Sequence, residues 1–419
     1  MRSNFVVEDI NVFKQKVLNW LKQFNTFCFL DSSQYQGTYD FLVAAGAKVL
    51  FQSSETNALE AFRAFAAKRQ GWLFGHLGYE LVTAEKISHS AKKDQLLFPD
   101  IFFFEATTLI TCKGNEITIE AEDPVEVFAN IKQVAVIINT NKPLPPVQSK
   151  MTREDYIATI EQLKKHIQRG DCYEINFCQE FFINDADADP FSLFEKLKLK
   201  SPNPFSAIYR LNDKWLLCAS PERFIKKEND RIFSQPIKGT LRRTNVDGSL
   251  EAERKLLAES EKDRAENVMI VDLVRNDLSR ICKEGTVQVD ELFGIYSFPQ
   301  VHQMISTVSG ILNQSVNFKD IINATFPMGS MTGAPKVKVM QLIDQYEKSR
   351  RGIFSGALGY IQPGGDFDFN VVIRSIIYNQ TTQYLSFQAG GGITIYSDAE
   401  KEWEESLLKA KAIKDVLSS

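Results

Sequence analysis

The sequence predicts an α+β fold, in which hairpin-joined antiparallel strands carry helices on the outside. Three observations lead there. Gly352 to Ile361, the turn Pro363-Gly364-Gly365-Asp366, Phe367 to Tyr378 and Tyr384 to Ala389 read as an antiparallel meander. Arg223 to Lys227 and Arg231 to Gln235 flank Glu228-Asn229-Asp230 as a second hairpin. Amphipathic helices sit before and after these strand runs instead of alternating with single strands, which argues against a doubly wound sheet.

The first stretch of chain is mixed, with apolar runs at Phe27 to Leu30 and Ile101 to Phe104 and a glycine- and aromatic-rich strand at Gly71 to Leu81. Proline and polar residues cluster at Asn139 to Pro146, which divides the chain into a region 1–145 and a region 150–419. Thr152-Arg153-Glu154-Asp155 has the form of a capping box. It opens a helix with Tyr156, Ile160, Leu163 and Ile167 on one face, closed by Gly170. Cys172 to Phe182 alternates as a strand, with Tyr173, Ile175 and Phe177 on one side and Glu174, Asn176 and Cys178 on the other. Gly248 to Leu278 is mostly helical, and a last helix from about Ala399 turns Trp403, Leu407 and Ala410 inward.

The 419 residues are 44% apolar and 24% charged, ordinary values for a soluble globular protein with a sizeable core. A net charge of −4 gives no reason to expect nucleic acid or an anionic membrane. No apolar run reaches the roughly 20 residues of a membrane span, and the N-terminus lacks a signal-like core, so a cytoplasmic location is expected. The six cysteines lack metal-ligand spacing and read as reduced, mostly buried thiols.

Lys238, in Pro236-Ile237-Lys238-Gly239-Thr240, is the leading candidate for chemistry. Counting outward from Asn229, Glu222 mirrors Pro236, so Glu222 and Lys238 emerge at one end of the hairpin. A desolvated amine is a nucleophile and a neighbouring carboxyl group an acid or base; an exposed ion pair is the alternative. Asp263 and Glu266 share a helix face, and Asp398, Glu402 and Glu405 form a second acidic stripe. Such stripes suit a hard divalent cation, or are solvated faces. Phe326 to Lys336 reads as a flexible turn running into a helix whose free amides suit an anion. Gly390-Gly391-Gly392 permits close backbone approach to a ligand, or marks a bulge or corner. Arg374 shares a strand face with Asp368 and Asn370 and suits a carboxylate, an internal salt bridge being the default. His302 by itself reads as a hydrogen-bonded structural residue.

Together these segments resemble the chorismate-utilising enzymes. SPERF, PIKGT with Arg242 and Arg243, DRAENVMIVDLVRNDLSRI, PMGSMTGAPK, FNVVIRS, and the glycine triplet before an acidic helix stand in family order from Thr152 to the C-terminus. The resemblance implies two large, mostly antiparallel sheets packed together, and a region before Pro143 of the type found in the amino-transferring members. It implies that Lys238 marks an aminodeoxychorismate-forming enzyme, an aminotransferase of folate synthesis, where an anthranilate-forming one carries alanine. Lys238 would then attack C2 of chorismate, Glu222 would protonate the departing 4-hydroxyl, and ammonia would attack C4 and expel the lysine from C2. Mg2+ would be held by Glu266 and Glu405 with Glu402 nearby. Arg374 and amides near Gly391 and Gly392 would hold the enolpyruvyl carboxylate. His302 and Thr332 would flank the ring, Gly239 and Thr240 would line the pocket, and Lys336 would add positive charge. Glu174 occupies the position of the lysine base of isochorismate-forming members and is expected to line the pocket, the alternative being a base for water or ammonia in a side reaction. No glutaminase region is present, so a glutamine amidotransferase subunit is implied as the source of ammonia. Phe29-Leu30-Asp31-Ser32 matches the family's tryptophan-pocket motif loosely, so no strong tryptophan feedback is expected. The competing readings are an anthranilate synthase component, a Schiff-base lysine enzyme and a non-catalytic chorismate-binding subunit.

Overall fold

The computed structural model describes residues 1–33, 35, 37–81, 92–136, 143–244, 249–299 and 301–418. Positions 139–142 of the proline-rich stretch lie outside the described residues. Two long strands, Phe41–Ser53 and Ile101–Lys113, pair along their whole length and bend at a register shift between Ala47 and Val49. Beyond the bend each half continues into a different sheet.

The first sheet runs outward from Arg2–Val6 through Glu116–Glu120 to the two long strands. It continues through Thr26–Asp31, Phe205–Leu211, Lys214–Ser220, Ser375–Asn379, Tyr384–Ile393 and Glu174–Ile183. The second passes through Leu73–Leu77, Ala357–Ile361, Phe367–Val371, Arg223–Glu228 and Arg231–Gln235 to Val301–Ile311. Ile237–Arg242 and Gln288–Ser297 flank that last strand. Every pairing named is antiparallel, and in both sheets a strand from before the proline-rich stretch pairs directly with one from after it, Thr26–Asp31 with Phe205–Leu211 and Leu73–Leu77 with Ala357–Ile361.

Alternation along the strands builds the core on both faces. In Thr26–Asp31, Cys28 points into a buried cluster shared with Phe103, Leu358 and Phe369 of the second sheet. Phe27 and Phe29 point the other way, against Val17 and Leu21 of the helix Ile10–Leu21, Phe194 of Pro190–Lys200 and Ile413 of Ala399–Leu417. The architecture is thus the expected α+β one, two sheets face to face with helices outside.

Two details differ from the sequence reading. Thr152 caps the helix Arg153–Gln168 by accepting the Asp155 amide (3.1 Å), without the reciprocal half of a capping box. Phe367 to Tyr378 is two strands, because the chain breaks at Val372 to Arg374, where Arg374 has φ of 53°. Asp368 therefore faces Arg223 (2.8 Å), and Arg374 does not share its face.

Candidate active site

The hairpin that leads to Lys238 turns on Asn229 and Asp230, with Glu228 opposite Arg231. A bulge between Arg223 and Lys226 resets the register so that Arg223 faces Gln235, which brings Glu222 level with Pro236 as the residue count predicts. Past Pro236 the ladder is interrupted between Ile237 and Thr240, where Gly239 adopts φ of 90°. A Cβ at Gly239 would lie 2.9 Å from Asp263 Cβ, so only glycine lets this strand lie against the helix Glu261–Ser279. The irregularity frees Lys238 from the hairpin's own pairing.

The acid in contact with Lys238 is Glu174, not Glu222. Lys238 Nζ donates to Glu174 Oε1 at 2.5 Å, with the two residues 9% and 1% exposed. The alternating strand Glu174–Ile183 explains the meeting: Ile175 and Phe177 pack under the helix Arg153–Gln168, which leaves Glu174 and Asn176 on the opposite face. Burial favours the neutral amine of Lys238, but the carboxylates of Glu174, Glu266 and Glu222 outweigh it and hold the group well above the ordinary lysine range. The exposed ion pair considered from sequence is ruled out by this burial. Glu222 is 4% exposed, and burial pushes its carboxyl up to about 7 against the pull of Ser330 and Lys238. It is therefore available as a protonated acid near neutral pH.

Gly391 and Gly392 lie in a regular stretch of Tyr384–Ile393, opposite Phe177 and Asn176, so the triplet is neither a bulge nor a corner. A Cβ at Gly392 would sit 2.7 Å from Glu174 Oε1 and 2.8 Å from Lys238 Nζ. A Cβ at Gly391 would lie 3.1 Å from Glu402 Oε2 and 3.5 Å from Glu405 Oε1. The glycine strand thus runs between the lysine and the acidic helix.

Around that helix, Lys262 Nζ lies 3.8 Å from Glu266 and 4.0 Å from Glu402, a cation standing between two carboxylates from different helices. Burial raises both acids above the usual carboxylate range, with Glu405 adding to the effect on Glu402. Burial acts on Glu405 too, but its ion pair with Lys409 (2.6 Å) brings it below that range. Among the described residues, no three His, Cys, Asp or Glu side chains converge tightly enough to hold a metal ion together. The donor set itself, partly buried carboxylates already drawing in an ammonium, has the chemistry a hard divalent cation takes. Two members of the acidic stripes have other work. Asp263 accepts from Ser260 Oγ (2.5 Å) at the start of its helix, and Asp398 caps the last helix through the amides of Glu400 and Lys401.

The remaining candidates are spread around this centre. The Arg374 side chain is half-buried, desolvation lowers its pKa, and it donates to the Lys409 carbonyl at 3.4 Å. Thr332 Oγ1 donates to the Met328 carbonyl (3.0 Å), while its own carbonyl accepts the Asn176 amide (2.7 Å). Phe326 to Lys336 is not the flexible turn expected. It is largely buried, and Gly333–Ala334 pairs with Ile175 and Glu174. Lys336 is ion-paired to Asp277 (2.6 Å) and donates to the Thr325 carbonyl, so its charge is neutralised by the neighbouring helix. His302 is fully buried between Ser297 Oγ on Nδ1 (2.9 Å) and Glu253 Oε2 on Nε2 (3.1 Å), the structural arrangement a lone histidine suggests. Thr240 stands opposite Gln303 on the next strand. Asp31, in the loosely matched tryptophan motif, is ion-paired to Lys14 (2.9 Å) and Lys198 (2.6 Å).

Sequence reasoning missed Arg351. Its buried guanidinium donates to Glu347 (2.6 and 2.9 Å), to the Met331 carbonyl (2.6 Å) and to the Asn176 carbonyl (2.9 Å). It lies 4.6 Å over the ring of Tyr79, from the glycine- and aromatic-rich segment. One side chain so ties the Glu174 strand to the 326–336 segment. The available signal was Glu347 and Arg351 at i, i+4.

The chain matches the chorismate binding enzyme family over residues 25–415. It is 43% identical over 266 residues to aminodeoxychorismate synthase component 1 of Salmonella typhimurium, covering 64% of this chain and 58% of that one. It is 35% identical over 355 residues to the protein of the same name in Klebsiella aerogenes, covering 83% and 78%. The chain therefore spans a little over half the length of the first of these relatives and more of the second. Anthranilate synthase component I from Streptococcus pneumoniae superimposes with a TM-score of 0.77 at 24% identity, over 93% of this chain and 92% of that one, which shows a shared fold.

Proposed function

The chain belongs to the chorismate-binding enzymes, and from that membership we propose that it is the chorismate-converting component of an aminodeoxychorismate synthase. The observation that carries the reading is the buried Lys238, in contact with Glu174 and within the field of a Glu222 that keeps its proton up to about pH 7. The resemblance implies alanine at this position in an anthranilate-forming enzyme, where this chain has Lys238.

In this reading the Lys238 amine attacks C2 of chorismate, the ring diene shifts, and the C4–oxygen bond breaks as Glu222 protonates the departing hydroxyl. Ammonia then attacks C4 and the lysine leaves C2, giving 4-amino-4-deoxychorismate, a precursor of 4-aminobenzoate and folate. Arg374, a half-buried cation, and the amides near Gly391 and Gly392 hold the enolpyruvyl carboxylate. Thr332 and His302 shape the wall of the pocket, and Gly239 and Thr240 its approach. Glu266, Glu402 and Glu405 are the residues that would hold Mg2+, which supplies charge stabilisation to a substrate carboxylate when bound. A glutamine amidotransferase subunit delivers ammonia, and the reaction, of the aminotransferase class, runs in the cytoplasm. The 1–145 and 150–419 regions act together in this scheme, the first supporting the second.

The test is to incubate the purified chain with chorismate, magnesium and an ammonium salt, and to identify the product by chromatography and mass. Aminodeoxychorismate, converted to 4-aminobenzoate by an added lyase and absent with Lys238→Ala, is expected. Anthranilate, or chorismate bound but unconverted, would overturn the assignment.

A further inference from the structure

We propose that Glu174 is the proton acceptor that frees the Lys238 amine for attack and returns the proton when the lysine leaves, a role that rests on the chorismate-aminating reading above. Lys238 Nζ already donates to Glu174 Oε1 at 2.5 Å. Among the described residues, Glu174 is the carboxylate in hydrogen-bond contact with that amine. The other oxygen, Glu174 Oε2, is buried with no hydrogen-bond partner. Such an orphaned carboxylate oxygen is costly unless the group changes protonation state or meets a ligand. The contact is also kept open, because a Cβ at Gly392 would fall within 2.8 Å of both reacting atoms.

The groups facing Lys238 explain why an acceptor is needed. Glu174 from its strand, Glu222 from the hairpin end, Glu266 from the helix Glu261–Ser279 and Glu405 from the last helix all act on it. Together they keep it an ammonium in the ligand-free protein, and an ammonium has no lone pair with which to attack. Burial acts the other way on Lys238, favouring the neutral amine, and Glu174 is in contact to receive its proton.

The protons balance. One proton passes from Nζ to Glu174, and the neutral amine forms the N–C2 bond as a secondary ammonium. The hydroxyl leaves C4 as water with the proton of Glu222. Ammonia then bonds to C4, the C2–N bond breaks, and Lys238 departs as a neutral amine that takes back the proton from Glu174. The new C4 ammonium reprotonates Glu222.

The experiment compares the full chain with Glu174→Gln and Glu174→Asp, each with magnesium and saturating chorismate, from pH 6 to 9 at fixed free ammonia. Glu174→Gln is expected to lower kcat about 100-fold or more at pH 7. The deficit should shrink by about tenfold per pH unit as water takes over removal of the lysine proton. Glu174→Asp should recover part of the rate. Unchanged turnover by Glu174→Gln overturns the proposal, as does a deficit equal at every pH, which a merely structural role would give. If the unaltered chain forms no aminodeoxychorismate, the chorismate-aminating reading itself fails, whatever the variants do.

Discussion

Replacing Arg351 with methionine removes the charged end of a side chain that is 1% exposed while keeping most of its apolar length. The perturbation leaves the Glu347 carboxylate, 3% exposed, accepting from the Cys178 amide (2.8 Å) without its counter-charge. Losing one member of a buried ion pair costs about 3–5 kcal/mol, because the other charge stays desolvated. The Met331 and Asn176 carbonyls each lose a donor, at about 1 kcal/mol apiece. We therefore expect Arg351→Met to lower the unfolding free energy by about 5–7 kcal/mol, read from urea denaturation with an unchanged slope. Arg351→Met combined with Glu347→Leu removes the stranded charge and should regain about half of that loss. A single variant within about 1 kcal/mol of the parent, or a double variant less stable than the single, would refute the reasoning. Because Arg351 also holds the carbonyl of Asn176 two residues from Glu174, any surviving protein should show a lower kcat as well.

Two further outcomes follow from the electrostatics. The Glu222 carboxyl stands near 7 in the folded chain against an ordinary 4.5, so the folded state binds more protons between those values. Its stabilising contribution is complete below about pH 4.5 and is lost as pH rises through 7. The stability difference between the parent and Glu222→Gln should fall by roughly 3 kcal/mol across that window, and turnover should decline above pH 7; a flat difference would remove Glu222 as the acid. Mg2+ at about a hundred times its Kd should stabilise the chain by about 2.7 kcal/mol in thermal unfolding. Glu266→Gln should abolish that shift, and an identical Tm with and without the metal would argue against the carboxylate site.

Much of this arrangement was legible before any coordinates. The two-fold alternation of Glu174 to Phe182 identified its faces, because a strand's side chains can only point up or down. The residue count of the hairpin brought Glu222 level with Pro236, although the agreement depended on a bulge that offset a shorter turn. Other features needed the third dimension. Lys238 meets Glu174 across 64 residues of chain, a contact that follows from a glycine-broken strand packed against a helix. The break at Arg374 separated it from Asp368, and Lys336 turned to Asp277, because long charged side chains choose among partners that only packing supplies. The sequence by itself determined the elements, their inward faces and the inventory of acids and amines, since these depend on local periodicity and residue chemistry. Which acid touches which amine was decided by tertiary structure alone, since burial and distance between remote segments set both the charge and the pairing of each group.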